Sequence, residues 1–149
     1  MGEAAGIPPT PVEAVQATLA AEHAAVAVLA VLGGRVSAGA APEAAALLRA
    51  GYDTHRARRD LLRAQLAAQG EDPVPAAAAY DVPARTRDTG RLLAVAAATE
   101  ERCAEVYAQQ VAGTSGDQRR WAVEALRDAA VRLLTLGGSP DPWPGLREL

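Results

Sequence analysis

Four stretches of the chain carry apolar residues at three- and four-residue spacing, each bounded by residues that start or stop a helix. In the first, Val15, Leu19, Val26 and Leu29 mark one face. Thr10 stands ahead of it as a cap, with Pro11 at the first helical position and Glu13 three residues after the cap, the pattern of a capping box. Gly33 and Gly34 loosen its end, and residues 37–41 turn the chain. The second stretch opens at Pro42, with Glu43 in its first turn, where the helix dipole favours an acid. Leu48, Leu62 and Leu66 form its stripe, with Gly51 and His55 between them, and Gly70 ends it as a terminal glycine commonly does. The third runs from Thr86 or Asp88 to Ala112, with Leu93, Ala97, Glu100, Ala104, Tyr107 and Val111 on a heptad-like stripe. A tight turn at 113–116 leads to the fourth, capped by Ser115 with Gln118 and running to about Leu136. Its inner stripe is Ala122, Leu126, Ala129 and Leu133.

The connections differ in kind. Residues 71 to about 85 hold Pro73, Pro75 and Pro83, which block a continuous helix and predict a long crossing segment between helices 2 and 3, pinned to the body by Tyr80. The end, 137–149, contains Pro140, Pro142 and Pro144 and is too proline-rich for a helix; Trp143 and Leu146 are its expected anchors on the bundle. The expected organisation is a flexible tail at 1–9, one all-α four-helix bundle at 10–136, and a C-terminal tail at 137–149 packed on it.

Composition supports helices and narrows the function classes. Half of the 149 residues are apolar, half of these alanine, and the aromatics number only three Tyr and two Trp. Small side chains let helices approach closely, and alanine is the best helix former. All fifteen basic residues are Arg, which fits a GC-rich genome. The net charge of −3, without a basic tail, makes nucleic acid an unexpected partner. The single Cys103 has no internal partner for a disulfide, which fits a reducing, cytoplasmic compartment. The first residues show neither the basic nor the apolar region of a signal peptide. The longest uncharged apolar run, 24–32, is far too short to span a membrane, so no membrane partner is expected. No GxSxG, P-loop or GxGxxG motif is present.

The candidate chemistry lies in a polar layer. Glu22, His55 and Glu100 sit near the middle of three helices, on their apolar sides. Antiparallel helices joined by a short loop meet at equal distances from that loop. Counted from residue 38 or 39, Glu22 and His55 are equally far away and should face each other. Counted from the second turn, Glu100 is level with Asp128 and Ala129. Carboxylates and imidazoles at this height are how di-iron bundles hold two ions: one Glu from each of two helices and Glu-x-x-His from the others. Here Tyr52 stands where the second helix should carry a carboxylate, helix 4 has no His, and Glu124 and Asp128 are assigned to solvent.

A binuclear oxygen-activating site is therefore not expected. Two readings of the trio stay open. In one it is a hydrogen-bonded structural layer, with Arg58 or Arg59 neutralising a carboxylate and Tyr52 or Tyr107 donating to one. In the other, Glu22, His55 and Glu100 hold one Fe, Mn or Zn ion, with Glu101 as the alternative to Glu100 on helix 3. Glu105 is a further candidate for the inward acid. His23 belongs on the flank, about 100° round from Glu22. Cys103 reads as buried packing, Trp121 as core or interface, and Arg56, Arg58 and Arg59 with Asp53 and Asp60 as a solvated face.

The order of these features resembles a ferritin-like family of unknown function from GC-rich bacteria. The residues that carry the likeness are Ala21-Glu22-His23-Ala24-Ala25, His55-Arg56-Ala57-Arg58-Arg59-Asp60, and Tyr80-Asp81-Val82-Pro83. They continue with Glu100-Glu101-Arg102-Cys103-Ala104, Tyr107, and Pro144-Gly145-Leu146-Arg147-Glu148. The resemblance covers about 12–149 and implies a four-helix ferritin-like bundle, paired into a dimer, with no established activity. The expected function is that of a non-catalytic bundle with a degenerate metal site, acting by self-association or by binding a protein partner. The alternatives are the mononuclear metal protein and an apolar ligand pocket between the alanine-rich helices.

Overall fold

The computed structural model describes residues 9–82 and 86–146. Pro83, Arg147 and Glu148 of the family-like motifs, and most of the expected N-terminal tail, lie outside the described residues. Four helices follow one another: α1 (Pro11–Arg35), α2 (Pro42–Ala68), α3 (Thr89–Gly113) and α4 (Gly116–Thr135). There is no strand among the described residues.

Local chemistry sets most of the ends. Thr10 Oγ1 accepts from the Glu13 amide at 3.2 Å, and the Thr10 amide donates to Glu13 Oε2 at 2.7 Å, which closes the capping box. These bonds also hold the Glu13 carboxyl below its ordinary pKa. Gly33 and Gly34 do not interrupt α1, which continues to Arg35. α2 ends in a paired backbone motif: the Glu71 amide donates to Leu66 O and the Gly70 amide to Ala67 O, both at 3.0 Å. Gly70 closes it at φ +77°. Gly70→Ala puts a Cβ into that left-handed conformation. It is expected to cost about 1 kcal/mol and to lower Tm by about 2–4 °C in a thermal melt. Asp88 caps α3, its Oδ1 accepting from the Arg91 amide at 2.8 Å. The second capping box does not form: Ser115 is the N-cap of α4 but makes no side-chain cap bond.

α1 packs against α2 and α3, and α3 packs against α4, while α2 and α4 make no extended backbone contact. This arrangement decides which faces are buried. α2 buries the expected stripe of Leu48, Gly51, His55, Leu62 and Leu66. α1 buries Val15, Leu19 and Leu29 as expected, and adds Val28 and Leu32 in place of the half-buried Val26. α3 lies between two neighbours and buries a broader, rotated face of Leu92, Ala96, Thr99, Glu100, Cys103, Ala104, Tyr107 and Gln110. Leu93, Ala97 and Val111 fall on its flanks. α4 touches chiefly α3, so its buried stripe is narrow, Ala122, Ala125 and Ala129, and Leu126 and Leu133 are only half-buried.

By length and composition α1 is apolar enough to cross a bilayer, unlike the short run read from the sequence. Half of its most apolar window is buried inside the protein, as in a core helix.

The crossing segment is held from α1. Gln16 donates through Nε2 to Asp72 O and accepts through Oε1 from the Val74 amide, both at 2.8 Å, and His23 Nε2 lies 3.1 Å from Val74 O. Tyr80 does not pin the segment through its hydroxyl, which accepts from the Ala77 amide within the same loop. At the other end, Trp143 is 67% exposed and Leu146 is exposed too, so neither is the anchor expected of it. Gly145 makes the contact instead. It sits so close to Ala104 that an added Cβ would lie 2.3 Å from Ala104 O. Only a glycine, here at φ +78°, permits that approach.

Candidate functional site: a buried ion-pair layer

The equal-distance argument places Glu22 opposite His55, and the two are bonded: His55 Nδ1 lies 2.7 Å from Glu22 Oε2. On the ring's other side, Nε2 lies 3.1 Å from Glu100 Oε1. All three side chains are buried. Of the candidate acids on α3, Glu100 is the inward one, 1% exposed, whereas Glu101 faces out and Glu105 is half-buried.

Carboxylate oxygens accept on both sides of the ring, so both nitrogens carry protons and His55 is an imidazolium. Burial alone would lower its pKa. The hydrogen bonds and charges of Glu100 and Glu22 outweigh burial and push it up to about 9. Burial likewise raises the Glu100 pKa, but the His55 bond and charge, with Arg132, hold it below its ordinary value.

The layer extends beyond the trio. Tyr107 OH donates to Glu22 Oε1 at 2.5 Å, and Arg58 Nη1 donates to that hydroxyl at 3.1 Å. Arg58 Nη2 reaches Asp128 Oδ2 at 2.6 Å, and Arg132 Nε donates to Glu100 Oε1 at 2.9 Å. Three carboxylates, from α1, α3 and α4, thus face three cations, from α2 and α4. Of the expected helpers, Arg58 and Tyr107 take part. Arg59 pairs with Asp60 near the surface, and Tyr52 packs half-buried against the Val28, Leu29 and Leu48 cluster. Asp128, assigned to solvent from the sequence, is 45% exposed and at the same time bonded by Arg58, and Arg132 is a member of the layer that the sequence pattern does not mark. Arg58 bridges the gap between α2 and α4, where a long stem covers ground that the backbones do not, and Arg132 ties α4 to Glu100 on α3 with its guanidinium lying against Gly51 of α2.

Tyr107 also meets Trp121 edge-to-face, with ring centroids 6.0 Å apart and planes at 88°. The buried Cys103 is held as a thiol: burial, then the Glu22 and Glu100 charges, push its pKa well above the ordinary value. It is packing rather than a nucleophile.

The two nitrogens of an imidazole point away from each other. With Glu22 on one and Glu100 on the other, the three side chains do not converge on one point. Among the described residues, no group of three or more His, Cys, Asp or Glu side chains is disposed to hold a metal ion. What the arrangement does chemically is neutralise buried charge. His55, protonated and bonded at both nitrogens, has no lone pair to act as a base.

A four-helix, all-α bundle with an ion-pair layer at mid-height is the class of protein that fold and site define. Residues 14–148 match the family described as a domain of unknown function, DUF4439, and the chain belongs to that family. Its structure is similar to that of a conserved hypothetical protein, rv2844, from Mycobacterium tuberculosis. The TM-score is 0.74 at 26% identity, over 83% of this chain and 92% of that one. None of the curated proteins compared matches the chain.

Proposed function

We propose that this chain is a degenerate ferritin-like bundle that is non-catalytic and acts by self-association. One observation carries the reading. The side chains at the height where ferritin-like bundles hold metals are spent on each other: both nitrogens of His55, both oxygens of Glu22 and one of Glu100 have protein partners. A bundle without a reaction centre acts through its surface. Val123 and Val131, 39% and 58% exposed, lie on the side of α4 away from its buried Ala122, Ala125 and Ala129, and Leu134, 47% exposed, lies beside them at the rim of the hollow between α4, α3 and the tail. Exposed apolar side chains gathered on one helix face favour association.

Light scattering on the eluting full-length chain is expected to give a dimer at tens of micromolar. The pair Val131→Glu and Leu134→Glu should raise the dimer Kd at least about tenfold, equivalent to about 1.4 kcal/mol, without changing the helical spectrum. A wild-type chain that stays monomeric at hundreds of micromolar would sink the proposal.

The competing reading, one Fe, Mn or Zn ion on Glu22, His55 and Glu100, requires His55 to lose a proton and the carboxylates to swing to one side. Elemental analysis separates the two. A metal-free folded protein agrees with the ion-pair layer. About one ion per chain, absent in His55→Ala, replaces it with the metal protein.

A further inference from the structure

The ion-pair layer makes no use of Tyr52. Ala45, Leu48, Arg49 and Tyr52 recur at three- and four-residue spacing, so they share one face of α2. Leu29, Ala30 and Gly33 share a face of α1, and Val36 follows at its C-cap. Where the two faces meet, beside the α1–α2 turn, they line a hollow of about 390 Å³. Small residues make it: Ala30, Gly33 and Ala45 stand where longer side chains would close the helix pair, and a Cβ added at Gly33 would find open space within 4 Å. The volume lies within the range of small-molecule sites.

The hollow has an apolar floor and a polar rim. Leu29 and Leu48 are buried at its base, and Val36 is half-buried. Arg49 is exposed and is the one charged side chain on the described lining. Neither its guanidinium nor the Tyr52 hydroxyl has a hydrogen-bond or ion-pair partner among the described residues. The two stand three residues apart, so both donors rise from neighbouring positions on one helix face. A guanidinium offers paired donors that fit a carboxylate, and the phenol offers one more. One positive charge matches a monocarboxylate, whereas a phosphate monoester, at about −1.5 to −2 at neutral pH, would keep excess charge. An exposed ion pair by itself holds little, so the head group needs the apolar floor beneath it.

We infer that this hollow binds a monocarboxylate with a straight aliphatic chain, the carboxylate accepting from Arg49 and Tyr52 and the chain lying on Leu29, Leu48 and Val36 in the space beside Gly33. The inference stands apart from self-association: the hollow is built by α1 and α2 of one chain, and Val131 and Leu134 are on α4.

The test is calorimetric titration of the full-length protein with octanoate, with acetate, 1-octanol and octylammonium as comparisons and light scattering in parallel. Saturable octanoate binding is expected, at least about tenfold tighter than each comparison. Arg49→Gln, a change at an exposed position, should weaken it at least about tenfold. Tyr52→Phe removes only the hydroxyl and should weaken it about two- to tenfold. Gly33→Leu fills the hollow at a position where the helix gains propensity from the change, so it should abolish binding while the helical spectrum is kept. No saturable octanoate binding overturns the inference. Octanol or octylammonium binding as tightly overturns it too, since Arg49 then does nothing, as does equal binding of acetate, since the floor then does nothing. Unchanged octanoate affinity in any of the three variants has the same force. A monomer that binds octanoate supports this site and sinks only self-association; a dimer that does not bind it does the reverse.

Discussion

Glu22→Ala is expected to destabilise the protein by about 3–5 kcal/mol, the cost of removing one partner from a buried ion pair. The size follows from what is left behind. His55 loses the acceptor 2.7 Å from Nδ1 and one of the two carboxylates that raise its pKa, and the Tyr107 hydroxyl loses the acceptor 2.5 Å from it. Glu22, His55 and Tyr107 are all buried, so the groups left behind are not open to bulk solvent. Against a total stability of about 5–15 kcal/mol for a domain, this is a large share, and Tm should fall by roughly 10 °C. Glu22→Gln keeps the shape and an acceptor and should cost less. Denaturant unfolding measures both; a loss under about 1 kcal/mol for Glu22→Ala would mean that the layer does not hold His55 as described. Replacing the whole layer by apolar residues of similar volume is a different experiment. It often leaves stability unchanged or higher, which would assign the layer to specifying how the helices align.

The second large effect is a loss of stability in alkali. His55 has a folded pKa of about 9 against an ordinary 6.5. The folded state therefore holds a proton that the unfolded chain releases above pH 6.5. This contribution is complete below pH 6.5 and declines as pH rises, until it is gone above about 9. The difference corresponds to about 3 kcal/mol. Glu100 acts in the opposite sense: its pKa is lowered on folding, so its contribution is present above about pH 4.5 and is lost in acid. Together they place the stability maximum between about pH 4.5 and 6.5.

The groups facing His55 from the other helices are Glu22 on α1, Glu100 on α3 and, through Glu100, Arg132 on α4. Tyr107 and Cys103 are buried nearby with pKa values pushed well above their ordinary ones, so they stay protonated across this window. Chemical denaturation from pH 6 to 10 should show the decline, and His55→Gln, though less stable throughout, should flatten it. A wild-type profile flat to pH 10 would contradict a protonated His55.

Much of the fold is legible because it is local. The Thr10–Glu13 box, Pro42 at the start of α2, Gly70 after its end and Pro73 and Pro75 in the crossing segment act within a few residues of themselves. Each does in the structure what its chemistry predicts. The Ser115 cap is the exception: its side chain makes no cap bond. The polar layer is legible for a related reason. Two hairpins with short turns set the heights of Glu22, His55 and Glu100, and counting residues from the turns recovers the pairing.

What a single helix pattern does not contain is how many neighbours the helix has. α3 is covered on two sides and α4 chiefly on one, so the buried face of α3 is wider and that of α4 narrower than their stripes suggest. The same fact hides part of the layer: nothing in the pattern points to Arg132, and Asp128, which reads as solvent-facing, meets Arg58 of α2 across a gap that no spacing rule describes. Periodicity, caps and turn counting thus determined the helices, their order and the heights of the three buried polar groups, since these depend on backbone geometry along one chain or one hairpin. Tertiary packing decided that Glu100 rather than Glu101 turns inward, that Arg58 and Arg132 complete the neutralisation, and that the C-terminal tail presses onto Ala104 through Gly145. Those outcomes depend on the distances between helices, which no one helix encodes.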